Sequence, residues 1–317
     1  MDEFSLIDKF FKTPALSRDD VVFGIGDDAA CLNVPSDKQL VVSTDTLVAD
    51  VHFLSTWDAY DIACKAVMVN ISDIAAMAAT PCWVTLALTL PEFDQSWLER
   101  FSQGLSDSLK QFGIALIGGD TTHGPLSITL TILGLVPRSK ALRRSGAKPG
   151  DKIYVSGDLG AAALAVAFLT EDMSEKDEKK VLMQKLLHPY PRVDLVEILQ
   201  ACASSAIDIS DGLSADLNHI CLASNLGACL SYQAIPVHPL VKKYQAENAV
   251  SFALSGGDDY ELCFTVPEEK EKKLVSLLEK AGLNCFPIGE IEEKKGLRIV
   301  METGEVNALA PLGYSHF

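Results

Sequence analysis

The sequence predicts an α+β protein of two domains. Three observations carry that expectation. The first half runs strand, helix, strand, helix, strand, strand, an order that suits a largely antiparallel or mixed sheet. A basic, Pro- and Gly-punctuated stretch then interrupts the pattern near the middle of the chain. The 317 residues are ample for two hydrophobic cores.

Taken in order, residues 3–11 place Phe4, Ile7, Phe10 and Phe11 at helical spacing. Gly24-Ile25-Gly26-Asp27-Asp28-Ala29 follows as a turn. Residues 29–34 and 39–44 read as strands joined by a turn at Pro35–Lys38, and the second delivers Ser43, Thr44, Asp45 and Thr46 at its end. Asp58 can cap a long helix reaching about Ala79. Residues 83–90 form a strand and 95–112 a helix burying Trp97, Phe101, Leu105 and Leu109. A strand at 114–117 runs into Gly118-Gly119-Asp120, and residues 127–136 close the region. These assignments give an N-terminal domain of 1–137, a linker of 138–150 and a C-terminal domain of 151–317.

The second domain opens with a strand at 152–156 and, after Gly160, an Ala-rich helix. The charge run 171–180 reads as a solvated surface, and Pro189 and Pro191 stiffen the approach to a helix at 193–203. A strand at 204–208 enters Asp208-Ile209-Ser210-Asp211-Gly212, at the start of a helix to Asn225. Free amides at such a start favour anions. A short helix within 236–245, the turn Gly256-Gly257-Asp258-Asp259 with a strand after it, a helix at 268–281, strands near 284–290 and 297–301, and the tail 311–317 complete the chain.

Composition narrows the function. Lysine and arginine number 27 against 43 aspartates and glutamates, a net charge of -16. That balance argues against a general nucleic-acid binder, which needs cations to displace counterions. An acidic protein that binds phosphorylated ligands is expected to bridge to them through divalent cations. The eight cysteines form no Cys-x-x-Cys pair, and several sit in apolar runs, as reduced core thiols of a cytoplasmic protein do. The acidic N-terminus does not read as a signal peptide, and Pro81 interrupts the longest uncharged run, so no membrane span is expected.

Aspartates next to glycines or at element ends recur at 27–28, 45, 73, 120 and 208–211. Each alone reads equally as a polar turn. Asp73 is different: it lies in an apolar helical run, three residues from Asn70, where a carboxylate is costly unless paired, metal-bound or on a polar edge. Brought together, these residues would form an oxygen-only anionic pocket selecting magnesium or manganese, as phosphoryl transfer requires. The cations at 138–148 offer either a solvated loop or a phosphate-binding arginine. No P-loop, Gly-x-Ser-x-Gly or His-Glu-x-x-His motif occurs.

The motifs at 24–29, 43–48, 69–77, 116–122, 144–151, 207–213 and 254–262, in this order, resemble those of the thiamine-monophosphate kinases. That family belongs to the ATP-binding superfamily that includes aminoimidazole ribonucleotide synthetase and selenophosphate synthetase. The resemblance covers nearly the whole chain. It implies an N-terminal mixed sheet with helices that makes a homodimer, a C-terminal α/β sandwich, and transfer of the ATP γ-phosphoryl group to thiamine monophosphate. It also implies magnesium at Asp28, Ser43, Thr44, Asp45, Asp73, Asp120, Asp208 and Asp211, and nucleotide contacts at Gly119, Asp120, Arg144 and Ser210. Substrate contacts fall at His52, Asp258 and Tyr314. Arg144, Asp120 and Asp208 would be the catalytic residues, without a side-chain nucleophile. One departure stands out: the family usually has Gly-Gly-Glu-Asp where this chain has Gly-Gly-Asp258-Asp259.

The alternatives are a superfamily enzyme activating an amide or carboxylate, an inactive metal-binding scaffold, and independent surface turns. No other acceptor motif is present, and the implied oxygen ligands are all intact.

Overall fold

A computed structural model describes residues 3–12, 15–169 and 175–316. The chain divides into two units, one of residues 1–74 with 79–140, the other of residues 75–78 with 141–317.

The first unit starts with α1 (Glu3–Ile7), which widens into a π-turn over Asp8–Lys12 and buries Phe10 and Phe11. The strands β1 (Val21–Phe23) and β2 (Cys31–Leu32) pair with each other. Then come β3 (Lys38–Val48), α2 (Ala59–Ala76), β4 (Thr80–Leu90), α3 (Gln95–Gln111), β5 (Ala115–His123) and β6 (Ser127–Pro137). The four long strands form a mixed sheet in the order β3-β6-β4-β5, with β4 and β5 parallel.

Two expected strand ends are corrected. Asp45 lies inside β3, because that strand pairs with β6 along its whole length, Lys38↔Pro137 to Val48↔Ser127. Asp120 lies inside β5, paired with Ala87. Threonines and aspartates that read as turn formers are here strand residues, since Thr suits a half-solvated pleat. The expected strand over 29–34 shrinks to two residues.

Register sorts the side chains. Asp45, Leu130 and Leu86 share one face, and Leu86, Leu130 and Ile132 are almost fully buried there. This is the helix side: Ser43 reaches Asp73 of α2, and Leu116 lines a small apolar cavity with Leu105 and Leu109 of α3. On the other face Thr44 bonds Thr131 at 2.9 Å and Thr46 bonds Thr129 at 2.8 Å. Nearby Val42 is 55% exposed. At one end of that face Trp83, Leu135 and Ile117 pack with Val21 and Leu32 of the β1–β2 pair.

Local chemistry explains the helices. Asp58 accepts from the Tyr60 amide at the start of α2, and Asp94 accepts from Ser96 and Trp97 at the start of α3. The two helices cross where Gly104 meets the Tyr60 carbonyl.

The second unit holds β7 (Lys152–Val155), α4 (Ala161–Ala167), α5 (Lys176–Leu187), α6 (Val196–Cys202), β8 (Ser205–Asp208), α7 (Leu213–Ser224), β9 (Gly227–Ser231), α8 (Pro239–Gln245), α9 (Ala249–Ser255), β10 (Leu262–Val266), α10 (Glu268–Ala281), β11 (Phe286–Glu292), β12 (Gly296–Val300) and β13 (Val306–Leu309). Its sheet order is β13-β12-β9-β11-β7-β10-β8, antiparallel except for β9 with β12. Tyr154, Ala206, Leu262 and Phe264 face α6 and α10. Strand alternation turns Ile207 and Cys263 to the opposite face, on the side of Asp216 and Cys221 of α7. Helices therefore cover both faces. The charge run 171–180 is described only from residue 175. No helix among the described residues is long and apolar enough to cross a membrane.

A Cβ at Gly104 would fall 2.4 Å from the Tyr60 carbonyl oxygen, so the helix crossing is set by this glycine. Gly104→Ala is expected to destabilise the protein by about 1–3 kcal/mol, read as a lower midpoint in thermal unfolding followed by circular dichroism.

Candidate active site

In the first unit the structure gathers Ser43, Asp45, Asn70 and Asp73. The Ser43 hydroxyl donates to the Asp73 carboxylate in a short bond. The Asp45 amide donates to Asn70 Oδ1 at 3.3 Å, while Asn70 Nδ2 donates to the Ala66 carbonyl at 2.9 Å. Asn70 is fully buried. The Asp45 carboxyl is pushed up to about 6, by burial first and then by the charge and hydrogen bonding of Asp73. The donor set is all oxygen, and two carboxylates crowd one another in apolar surroundings. That chemistry fits a hard divalent cation.

Other expected ligands of this unit stand apart from that group. The Thr44 hydroxyl is on the opposite face with Thr131. Asp120 is exposed on that same opposite face, beside Ala87. Its neighbour Gly119 has φ +155, and a Cβ there would fall 1.9 Å from the Leu86 carbonyl oxygen, so only glycine fits. Asp28 sits in an exposed turn where its amide bonds Asp27. His52 Nδ1 accepts from the Val48 amide at 3.0 Å, which leaves the proton on Nε2 when the ring is neutral. Among the described residues, no group of three or more His, Cys, Asp or Glu side chains forms a metal-holding cluster.

In the second unit Ser210, Asp211, Asp258 and Tyr314 come together through the main chain. The amides of Asp258 and Tyr260 donate to the carbonyls of Ser210 and Ile209, both at 2.8 Å, and the Tyr314 amide donates to the Asp211 carbonyl at 3.0 Å. Asp258 and Tyr260 both have positive φ, 68° and 50°, which marks this loop as strained. Asp208 is buried at the end of β8, opposite Leu262. Arg144 is exposed in a single 3-10 turn, tied to α7 by the Ser224 hydroxyl at 3.0 Å.

The amides at the start of α7 are not free for an anion, as the sequence suggested. Both the Asp211 and Gly212 amides donate to one oxygen of Asp216 at 3.1 Å. Asp216 is buried, and its carboxyl is pushed up to about 7, by burial first and then by Asp211, against the pull of those amides and of Arg144. Sequence reasoning missed this residue. Its signal was an acidic side chain in the first helical turn, four residues past Gly212, where it can fold back on the preceding amides.

Two further carboxylates hold the 256–261 loop. Asp259 accepts from the Gly160 amide at 2.7 Å. Glu261 pairs with Arg192 at 2.9 Å, and Ser156 donates to the same carboxylate. Arg192 also reaches Asp194 and the Ser156 carbonyl.

Known proteins share this architecture. The chain matches the families described as AIR synthase related protein, N-terminal domain, over residues 26–136 and C-terminal domain over residues 148–302. It is 48% identical over 319 residues to the thiamine-monophosphate kinase of Escherichia coli K12, covering 99% of this chain and 98% of that one. The crystal structure of thiamine-monophosphate kinase from Stenotrophomonas maltophilia K279a has a TM-score of 0.86 and 44% identity, covering 96% of this chain and 98% of that one. AaThiL complexed with AMPPCP and TMP has a TM-score of 0.79 and 32% identity, covering 99% and 97%.

Asp259 carries a pH prediction. Its carboxyl is pushed up to about 7 from the ordinary 3.8, by burial first, with the Gly160 and Ala162 amides opposing and Glu261 adding. A carboxyl raised in the folded state contributes stability in full below its unfolded value and loses it as pH rises through the folded value. Asp259→Asn keeps an acceptor for the Gly160 amide and removes the charge. Its melting temperature relative to the parent is expected to rise as pH goes from about 4 to about 8; a constant difference across that range would contradict the assignment.

Proposed function

The chain belongs to the thiamine-monophosphate kinases, within the AIR synthase related family, and we infer that it uses ATP to phosphorylate thiamine monophosphate to thiamine diphosphate. This is the last step of thiamine diphosphate biosynthesis. The observation that carries the reading to individual residues is the half-buried, oxygen-only group of Ser43, Asp45 and Asp73 beside Asn70.

In the reaction a phosphate oxygen of thiamine monophosphate attacks the γ-phosphorus. The bond to the β–γ bridging oxygen breaks, and ADP leaves with that electron pair. The acceptor oxygen is already anionic at neutral pH, so neither a side-chain nucleophile nor a strong general base is needed. What remains for the protein is positioning and charge stabilisation. Asp45 and Asp73, with Ser43, would hold magnesium, which supplies charge neutralisation at the phosphate oxygens; the resemblance adds Asp28, Asp208 and Asp211 as ligands, while Thr44 and Asp120, also implied by it, turn their side chains to the other sheet face. Arg144 presents a planar fork to the phosphates of ATP and stabilises charge as the transfer proceeds. Gly119 and Ser210 lie against the nucleotide: a glycine admits close approach, and Ser210 donates a hydroxyl. His52, Asp258 and Tyr314 bind the thiamine moiety, and the Tyr314 ring suits its cationic thiazolium.

Residues 1–137 serve as the ATP- and magnesium-binding domain, 138–150 as the linker and 151–317 as the second domain. The exposed sheet face around Val42, Thr44 and Thr46 supports dimerisation through the first domain. Apolar and threonine side chains on an uncovered sheet face suit a second copy of the same surface. Free buried thiols at Cys64, Cys82, Cys202, Cys221 and Cys263 accord with the cytoplasm.

The test is an end-point assay with ATP and magnesium, offering thiamine monophosphate or free thiamine. Thiamine diphosphate is expected from the monophosphate alone, and EDTA is expected to abolish it. Asp73→Ala should lose metal-dependent ATP binding while keeping its circular dichroism spectrum. Product from free thiamine, or from neither acceptor with ATP binding intact, would move the assignment to another enzyme of the superfamily.

A further inference from the structure

After β13, residues 310–316 form no helix or strand, yet they include a substrate residue of the functional reading. Its apolar side chains do not anchor it: Leu312 is 61% exposed and Tyr314 51% exposed. Its main chain lies along the first turn of α7. The Ser214 hydroxyl donates to the Leu312 carbonyl at 2.8 Å, and the Leu312 amide bonds back to the same hydroxyl at 3.1 Å. Ser214 itself is 1% exposed. One residue further on, a Cβ at Gly313 would fall 2.7 Å from both the Ala215 Cβ and the Asp211 carbonyl oxygen. The Tyr314 amide then donates to that same Asp211 carbonyl.

These contacts make a short ladder. Ser214 takes both main-chain groups of Leu312, glycine permits the close approach at 313, and Asp211 takes the amide of Tyr314. The Tyr314 and His316 rings are perpendicular, with centroids 4.9 Å apart, and Tyr314 stays half exposed. Asp211 adjoins Ser210, whose carbonyl holds Asp258. The tail is thus indexed to the 210–211 main chain that also holds Asp258.

We propose that Ser214 is a positioning residue for substrate recognition: by holding Leu312 it fixes the tail on α7 and sets the Tyr314 ring against the thiamine moiety of the acceptor. The proposal rests on the functional reading above and deepens it. Ser214 bonds the main chain of Leu312 and is not one of the residues that the functional reading gives to the phosphates or the nucleotide. Its loss should therefore weaken acceptor binding selectively, whereas a merely structural role would lower stability or disturb both substrates alike.

The experiment compares the full chain with Ser214→Ala, Gly313→Ala, Tyr314→Ala and a chain ending at Ala310, by steady-state kinetics and by calorimetric titration of thiamine monophosphate. Ser214→Ala is expected to raise KM and Kd for thiamine monophosphate about tenfold, as loss of a buried hydrogen-bond pair does. The KM for ATP should stay within about twofold. Gly313→Ala reaches the same result by steric displacement, without removing a hydroxyl. Introduced into the shortened chain, Ser214→Ala should have no further effect, because the two changes remove one interaction. Additive effects, or equal weakening of both substrates, would overturn the proposal. Should Tyr314→Ala raise KM for the monophosphate while Ser214→Ala does not, the functional reading stands and the positioning role falls. If Tyr314→Ala leaves that KM unchanged, the Tyr314 assignment falls and the proposal with it.

Discussion

Negative charge held away from water is the constraint around which the functional parts of this chain are built. A carboxylate in apolar surroundings is unfavourable unless something compensates it. The structure shows several compensations side by side. Asp216 and Asp259 accept from main-chain amides, at Asp211 and Gly212 in one case and Gly160 in the other. Glu261 has Arg192 and Ser156. Asp45 and Asp73 face each other with Ser43, and burial first, then Asp73, pushes the Asp45 carboxyl up to about 6. The amide- and arginine-held carboxylates shape loops. The mutually facing pair is the arrangement that a divalent cation would relieve.

This division of labour explains how much of the protein could be read before its fold was known. Amphipathic segments were legible: α3 with Phe101, Leu105 and Leu109, α10 over the expected 268–281, and β6 with its alternating burial. Each declares itself within its own residues. The short strands β9, Gly227–Ser231, and β13, Val306–Leu309, carry no such local signal. β9 exists because a partner distant in sequence offers an edge, Glu290 of β11 pairing with Cys229, and β13 because the chain folds back on β12, Val306 pairing with Val300. Tertiary context similarly extended β3 through Asp45 and β5 through Asp120, against the turn preference of their residues.

The candidate site divides in the same way. Asp73 was conspicuous because an apolar helix makes a carboxylate costly, and the structure places it on Ser43. The positions around Gly119 and Arg144 came from ordered motifs and resemblance rather than from local physics. Asp216 escaped because its partners are main-chain amides, which leave no side-chain motif to notice. A candidate carboxylate such as Asp73, costly within its own helix, is therefore easier to find in a sequence than one such as Asp216 that holds a loop in shape.

The loop at 256–261 shows why that distinction matters for the departure at Asp258. Along this loop Asp259 and Glu261 turn to protein partners, while Asp258 and Tyr260 adopt left-handed backbone angles. Aspartate is enriched several-fold in that region of backbone space, because its short polar side chain can bond locally. Glutamate, which the resemblance implies at this position, would gain a methylene of reach but not that tolerance. The substitution keeps the charge and exchanges reach for conformational ease at a strained position. On the proposed role of Asp258, the shorter acid requires the acceptor to approach more closely, and the tail held by Ser214 is the neighbouring element that would set such an approach.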